Sequence, residues 1–127
     1  MPLPKKITSR KDEITKDFIT LLHGHVADLL NGRVNHMFHT SHYAELLFIH
    51  PRHLTNTIKL TTGKSPCAWG EELVIAEVQK LLIETDLSIA QISERFAYTE
   101  PTNFVKFYKS MTGNTPLQYR KSIKEKK

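Results

Sequence analysis

Two sets of polar residues, fifty positions apart, carry side chains suited to reading a nucleic acid. The first is Arg52, His53, Thr55, Asn56 and Lys59; the second is Thr102, Asn103, Lys106 and Lys109. Arg or Lys donates to guanine and to phosphate oxygens, Asn bonds adenine through two contacts, and a threonine methyl meets the methyl of thymine. The same residue types also make ordinary solvated helix faces, so type alone decides nothing. Two matched faces decide more than either would singly.

The match is an internal repeat. His50 to Pro66 aligns with Glu100 to Pro116, with Pro51/Pro101, Lys59/Lys109, Thr62/Thr112, Gly63/Gly113 and Pro66/Pro116 identical. Leu54/Phe104, Ile58/Tyr108 and Ser65/Thr115 agree in kind. Upstream, Glu45 corresponds to Glu94 at an offset of forty-nine, so one turn is a residue longer. Two copies are too few for a solenoid. A duplicated short helix, turn and longer helix reads instead as two helix-turn-helix motifs. Leu54 and Ile58 supply the inner side of the first long helix, and Phe104, Phe107 and Tyr108 that of the second, which leaves the polar sets outward.

The elements that must hold these faces read as helices throughout. Ile14, Phe18, Leu21, Leu22, Val26, Leu29 and Leu30 recur at spacings of three and four, which predicts one helix over 13–30, closed by Asn31-Gly32. Short helices are expected over 41–48 and 89–96, and longer ones over 51–62 and 101–111. Gly63-Lys64-Ser65-Pro66 stops one helix and starts the next, with Ser65 as cap and Pro66 in the first position. That middle helix is expected over 66–84, with Leu73, Ile75, Val78, Leu81 and Leu82 as candidate buried positions. Ser88 with Gln91 forms a capping box, with Leu87 and Ile92 as its hydrophobic staple. A last helix is expected over 116–124. The fold class is all-α, about seven helices in two three-helix, homeodomain-like units joined by a linker helix. A middle rod of eighteen residues measures about 27 Å. With packing radii it could hold two recognition helices about 34 Å apart, one turn of B-DNA.

The stretches Tyr43-Ala44-x-x-Leu47-x-Ile49-x-Pro51-Arg52-His53-Leu54, then Ile58-Lys59, Gly63 and Ser65-Pro66, resemble the first helix-turn-helix of the AraC/XylS family. Leu81-Leu82, Thr85-Asp86-Leu87-Ser88-Ile89, Ile92-Ser93, Phe96 and Tyr98, followed by Phe104, Tyr108-Lys109, Gly113, Thr115-Pro116 and Tyr119-Arg120, resemble its linker end and second unit. The likeness covers about 16–121. It implies first and second units over about 16–65 and 86–121, a linker helix over about 66–84, a polar segment over 1–15 and a basic tail over 122–127. It further implies sequence-specific binding of double-stranded DNA by two major-groove helices, in bacterial transcription control. The family's base-reading positions fall on Arg52, Thr55, Asn56, Thr102, Asn103 and Lys106. RNA polymerase is the implied second partner, and an effector would bind a domain outside this chain. Most members have Gly where Ala97 stands, often Ala at Ser93 and often Arg at Val74; Glu100-Pro101 is an unusual opening for the second recognition helix.

Composition is consistent with a polyanion partner. Net charge is +5, with nine Lys/Arg against five Asp/Glu over 1–65, two against seven over 66–100 and seven against one over 101–127. An alternative reading makes the acidic middle helix, with Glu71, Glu72, Glu77 and Glu84, the surface of a protein–protein module. A steep loss of duplex affinity with salt would separate the two. The single cysteine, Cys67, permits no internal disulfide and reads as a small half-buried side chain behind Pro66. The polar N-terminus has no apolar signal core, and the longest apolar runs are far short of a bilayer span, so a cytoplasmic, membrane-free protein is expected. His36, His39 and His42 are spaced by three but lack a nearby acidic or cysteine ligand, and no metal or other cofactor is expected. No nucleophile motif, phosphate loop or carboxylate pair points to an enzyme.

Overall fold

The computed structural model describes residues 9–125. Residues 1–8 of the expected polar segment and 126–127 of the expected basic tail lie outside the described residues. Seven helices follow in order: α1 Arg10–Leu30, α2 Thr40–Leu46, α3 Pro51–Thr62, α4 Pro66–Glu84, α5 Ile89–Arg95, α6 Pro101–Thr112 and α7 Pro116–Glu125. No strand occurs among the described residues. The chain divides into two compact units, one of residues 9–26 with 38–71 and one of 27–37 with 72–125. Helices α1 and α4 both run across the division.

In the first unit, Ile14, Phe18, Leu22 and Val26 form one buried stripe of α1, at a constant spacing of four. Tyr43 and Ala44 from α2, with Leu54 and Ile58 from α3, are buried with them. The Phe18 and Tyr43 rings meet edge to face, centroids 5.3 Å apart, a favourable aromatic geometry. Each fully buried aliphatic side chain stabilises the unit by about 1.5–3 kcal/mol. In the second unit the core is Leu29, Val74, Val78, Leu82, Ile92, Phe96, Phe104 and Tyr108.

The identical Thr-Gly pairs of the repeat are helix stops. Gly63 and Gly113 take the left-handed backbone, at φ of 81° and 87°, where a side chain would be strained. The Thr62 hydroxyl donates to the Ile58 carbonyl at 2.7 Å and accepts the Lys64 N–H at 3.2 Å. Thr112 repeats both bonds, to Tyr108 and from Asn114. Starts are equally explicit. The Ser65 hydroxyl accepts the Ala68 N–H at 3.1 Å, and Ser88 and Gln91 exchange bonds at 3.0 and 2.8 Å.

Several expectations need correction. Helix α1 starts three residues early, because Ser9 accepts the Asp12 N–H and caps a polar first turn that apolar spacing does not register. Helix α2 starts at Thr40 and stops at Leu46, and α5 stops at Arg95. Phe48 and Ala97, just beyond those two ends, turn to positive φ. In α4 the buried side chains are Val74, Val78 and Leu82, while Leu73, Ile75 and Leu81 are only half-buried. That helix is apolar on nearly every side, so periodicity does not select a face; the observed stripe runs at strict spacings of four. Cys67 is exposed rather than half-buried, its Sγ 3.7 Å from the Thr40 hydroxyl.

Candidate nucleic-acid interface

Helix α3 is fixed from behind. Leu54 and Ile58 are fully buried and Thr57 nearly so. The Thr61 hydroxyl meets that of Thr15 on α1 at 2.6 Å. At the corner into α4, Trp69 donates from its indole nitrogen to Thr62 at 2.9 Å, and the Lys64 ammonium sits 3.9 Å over the Trp69 ring. Pro51 fills the first helical position, where its missing N–H costs nothing. A helix so backed presents its other side to water.

On that side Arg52, His53, Asn56 and Lys59 are exposed and Thr55 is half-buried. At about 100° per residue, Arg52, Asn56 and Lys59 fall within one narrow stripe along the helix. Thr55 flanks the stripe, and His53 lies about 100° round from Arg52, at its edge. The structure therefore groups three of the five expected residues tightly and sets His53 aside. Leu60, 67% exposed, lies on the same outward flank as Asn56 and was not among the expected residues. It falls about 120–160° round the helix from the buried Leu54 and Ile58.

Helix α6 repeats the arrangement. Phe104 and Tyr108 are fully buried, and Thr102, Asn103, Lys106 and Lys109 are exposed. Thr102, Lys106 and Lys109 form the outward stripe, opposite numbers of Arg52, Asn56 and Lys59, while Asn103 stands aside as His53 does. Behind the helix, Gln79 of α4 donates to the Tyr108 hydroxyl at 3.3 Å. Burial raises the Tyr108 phenol above its ordinary range, and the Gln79 bond partly offsets this. Tyr98 packs edge to face on Phe104 at 5.4 Å. Glu100 occupies the cap position without a side-chain bond to the helix, whereas His50, its counterpart, accepts the Arg52 N–H.

One more residue builds the second unit. Arg120 of α7 sends its three guanidinium nitrogens to the carbonyls of Leu82, Leu87 and Thr85, at 3.1, 2.7 and 3.2 Å. These bonds satisfy the end of α4 and the chain leading to α5, so Arg120 holds the motif rather than facing outward. Among the described residues no group of three metal-ligating side chains converges, and no helix is long and apolar enough to cross a membrane.

Comparison with known proteins gives a consistent picture. A family model described as "Helix-turn-helix domain" matches residues 43–122. The chain is 28% identical over 80 residues to an uncharacterized HTH-type transcriptional regulator of Bacillus subtilis, YobQ, covering 63% of this chain and 33% of that protein. It is 25% identical over 89 residues to the arabinose operon regulatory protein of Escherichia coli, covering 70% of this chain and 30% of that one. The chain spans about a third or less of the curated relatives it matches. Among solved structures, the C-terminal domain of AraT, a response regulator from Geobacillus stearothermophilus, matches with a TM-score of 0.77 at 25% identity, over 90% of this chain and 88% of that one. The DNA-binding domain of AdpA, solved with a target DNA, matches in fold with a TM-score of 0.68 at 21% identity, over 84% of this chain and 95% of that one.

Proposed function

Because this chain belongs to the AraC-type helix-turn-helix family, we propose that it binds double-stranded DNA in a sequence-specific way and regulates bacterial transcription. The observation that carries this reading is the pair of matched outward stripes, Arg52, Asn56 and Lys59 on α3 and Thr102, Lys106 and Lys109 on α6. Each is backed by fully buried side chains one helix face away. Rigid backing matters, because base readout needs donors held in register with base edges.

In this reading Arg52 donates to guanine, Asn56 reads adenine, and Thr55 and Thr102 meet thymine methyls or phosphates. Lys106 and Asn103 serve the second site, and His53 lies at the rim of the first. Lys59 and Lys109, deep in their helices, neutralise phosphates. The exposed Leu60 supplies an apolar contact on the flank of the first stripe. Binding promoter DNA places the protein in the cytoplasm. RNA polymerase is the second partner, and an effector, if there is one, would bind a domain outside this chain.

Selection of bound sites from a random duplex library tests the reading, combined with a salt titration on the selected site. Two short preferred motifs should emerge, and log affinity should fall linearly and steeply with log salt. Recovery of no motif, with weak and salt-insensitive binding, would make the chain an interaction module instead.

A further inference from the structure

Helix α6 opens on Glu100-Pro101, with Glu100 at the cap and Pro101 as the first helical residue. Over 50–62 and 100–112, which are α3 and α6 with their caps, Glu100 is the only acidic residue. Its side chain is exposed, makes no bond to the helix it caps, and has no partner among the described residues. His50, at the same place in the first unit, is by contrast tied to the Arg52 amide at 3.0 Å. A cap side chain ordinarily accepts the N–H of the second or third helical residue. Here the third, Asn103, donates to the Glu100 backbone carbonyl at 3.0 Å, and the carboxylate bonds neither. An acceptor is thus left unused at the tip of α6, two residues ahead of Thr102, where the outward stripe begins. Resting on the DNA-binding reading above, we propose that Glu100 is a base-reading residue, and that it takes the amino group of a cytosine in the major groove.

Its chemistry selects among the groups a groove offers. A carboxylate only accepts hydrogen bonds, so phosphate oxygens, both acceptors of guanine and the O4 of thymine all repel it. Two donors remain, the amines of cytosine and adenine. The adenine amine lies between two acceptors, its own N7 and the O4 of the paired thymine. The cytosine amine has an acceptor on one side only, the O6 of the paired guanine, and a ring C–H on the other. Cytosine is the base a carboxylate meets at the lower electrostatic cost. Recognition helices of this motif class contact base edges through their N-terminal residues, and Glu100 stands at that end of α6.

The two helix starts are then opposite in kind. Arg52 offers a guanidinium that only donates, and Glu100 a carboxylate that only accepts. A repeat in structure would not read a repeat in sequence, and one half of the bound site could not stand in for the other. A carboxylate that merely repelled the backbone makes a different demand. Repulsion weakens every duplex alike, whereas base reading changes one position of the preferred site and leaves the rest.

Selection from a random duplex library with the full chain, repeated for Glu100→Ala and Glu100→Gln, separates these outcomes. The native chain should prefer cytosine at one position by about tenfold. Glu100→Ala should erase that preference and leave the other positions intact. Glu100→Gln should move it to adenine, whose N6 and N7 a glutamine amide pairs with. A second measurement needs the native chain alone. N4-methylcytosine at that position keeps the base pair but fills the groove side of the amine, and should weaken binding about tenfold. Glu100 is exposed and unbonded, so both variants should fold, with circular dichroism as the check. Should either not fold, the methylated duplex decides. An unchanged motif in Glu100→Ala, a uniform gain on every duplex, or indifference to the N4-methyl group would each overturn the role of Glu100 while leaving DNA binding in place. Recovery of no motif by the native chain would instead sink the DNA-binding reading, and this role with it.

Discussion

Phe48 and Ala97 stand at the same point of the two units, forty-nine residues apart, and both hold the left-handed backbone, at φ of 59° and 66°. The two turns match bond for bond. Phe48 and Ala97 donate to the carbonyls of Glu45 and Glu94, both at 3.1 Å, and the next residues, Ile49 and Tyr98, donate to Ala44 and Ser93 at 3.0 and 3.1 Å. This is the tight stop that lets a short helix hand over to a recognition helix. It requires a conformation that costs a residue with a side chain about 1–2 kcal/mol. Glycine would occupy it without strain.

Ala97→Gly should therefore stabilise the second unit by about 0.5–1 kcal/mol, the relief of strain exceeding the added entropy of the unfolded chain. Phe48→Gly should do the same for the first unit. Phe48 is 95% exposed, so almost no packing is lost with its ring. Thermal unfolding followed by circular dichroism should show each midpoint rising by about 2–5 °C. A lowered midpoint for Phe48→Gly would mean that the ring packs against something its exposure does not reveal.

The repeat made most of the fold legible, because a duplicated pattern states twice which residues face inward. Leu54, Ile58, Phe104 and Tyr108 are buried as their spacing requires, and the polar stripes lie opposite them. The α4 face was not legible, since Leu73, Val74, Ile75, Val78, Leu81 and Leu82 offer apolar choices on several sides of one helix. The His50 cap of α3 was hidden for a different reason. Sequence rules look for Ser, Thr, Asp or Asn at helix starts, and nothing in a histidine's type tells whether its lone pair is in use. Arg120 could be quoted as part of a motif, but its three carbonyl partners lie 33–38 residues away in the chain.

Arg120 should matter to stability and not to sequence choice. Arg120→Ala leaves the Leu82, Thr85 and Leu87 carbonyls without their charged donor, a loss of about 2–4 kcal/mol for three charge-assisted bonds in a half-buried position. Arg120→Lys should recover little, because one ammonium cannot reproduce a planar fork. Denaturant unfolding measures the cost, and site selection at low temperature should return the same preferred sequence as the native chain. An altered base preference would place Arg120 at the DNA.

Tyr43 carries a buried hydroxyl with no hydrogen-bond partner among the described residues. Burial pushes its phenol far above the ordinary range near 10. The folded unit keeps the neutral phenol, so its contribution is intact below the ordinary tyrosine range and is lost as pH rises through and beyond it. Tyr43→Phe removes both effects. It should raise stability at neutral pH by about 1 kcal/mol, since an unpaired buried hydroxyl is itself costly, and should blunt the alkaline loss above about pH 10. A destabilised Tyr43→Phe would show that the hydroxyl has a partner after all, an ordered water being the natural one.

The proposed function gives different work to Arg52 and to the pair Lys59 and Lys109, and binding measurements can tell them apart. Arg52 stands in the second position of α3, with its amide held by His50 and its side chain exposed. Arg52→Ala should cost about 1–3 kcal/mol on the selected site and relax preference at one base pair, the signature of a lost two-bond contact to guanine. Lys59 and Lys109 lie in the last turns of their helices and are exposed. Removing either should weaken all duplexes about equally and reduce the slope of log affinity against log salt by about one. Measuring each variant on the selected site, on a single-base variant of it and on unrelated duplex at several salt concentrations gives both quantities at once. If Arg52→Ala weakened every duplex alike while Lys59→Ala relaxed a single base position, the roles along α3 would be exchanged, and the helix would enter the groove by its C-terminal half.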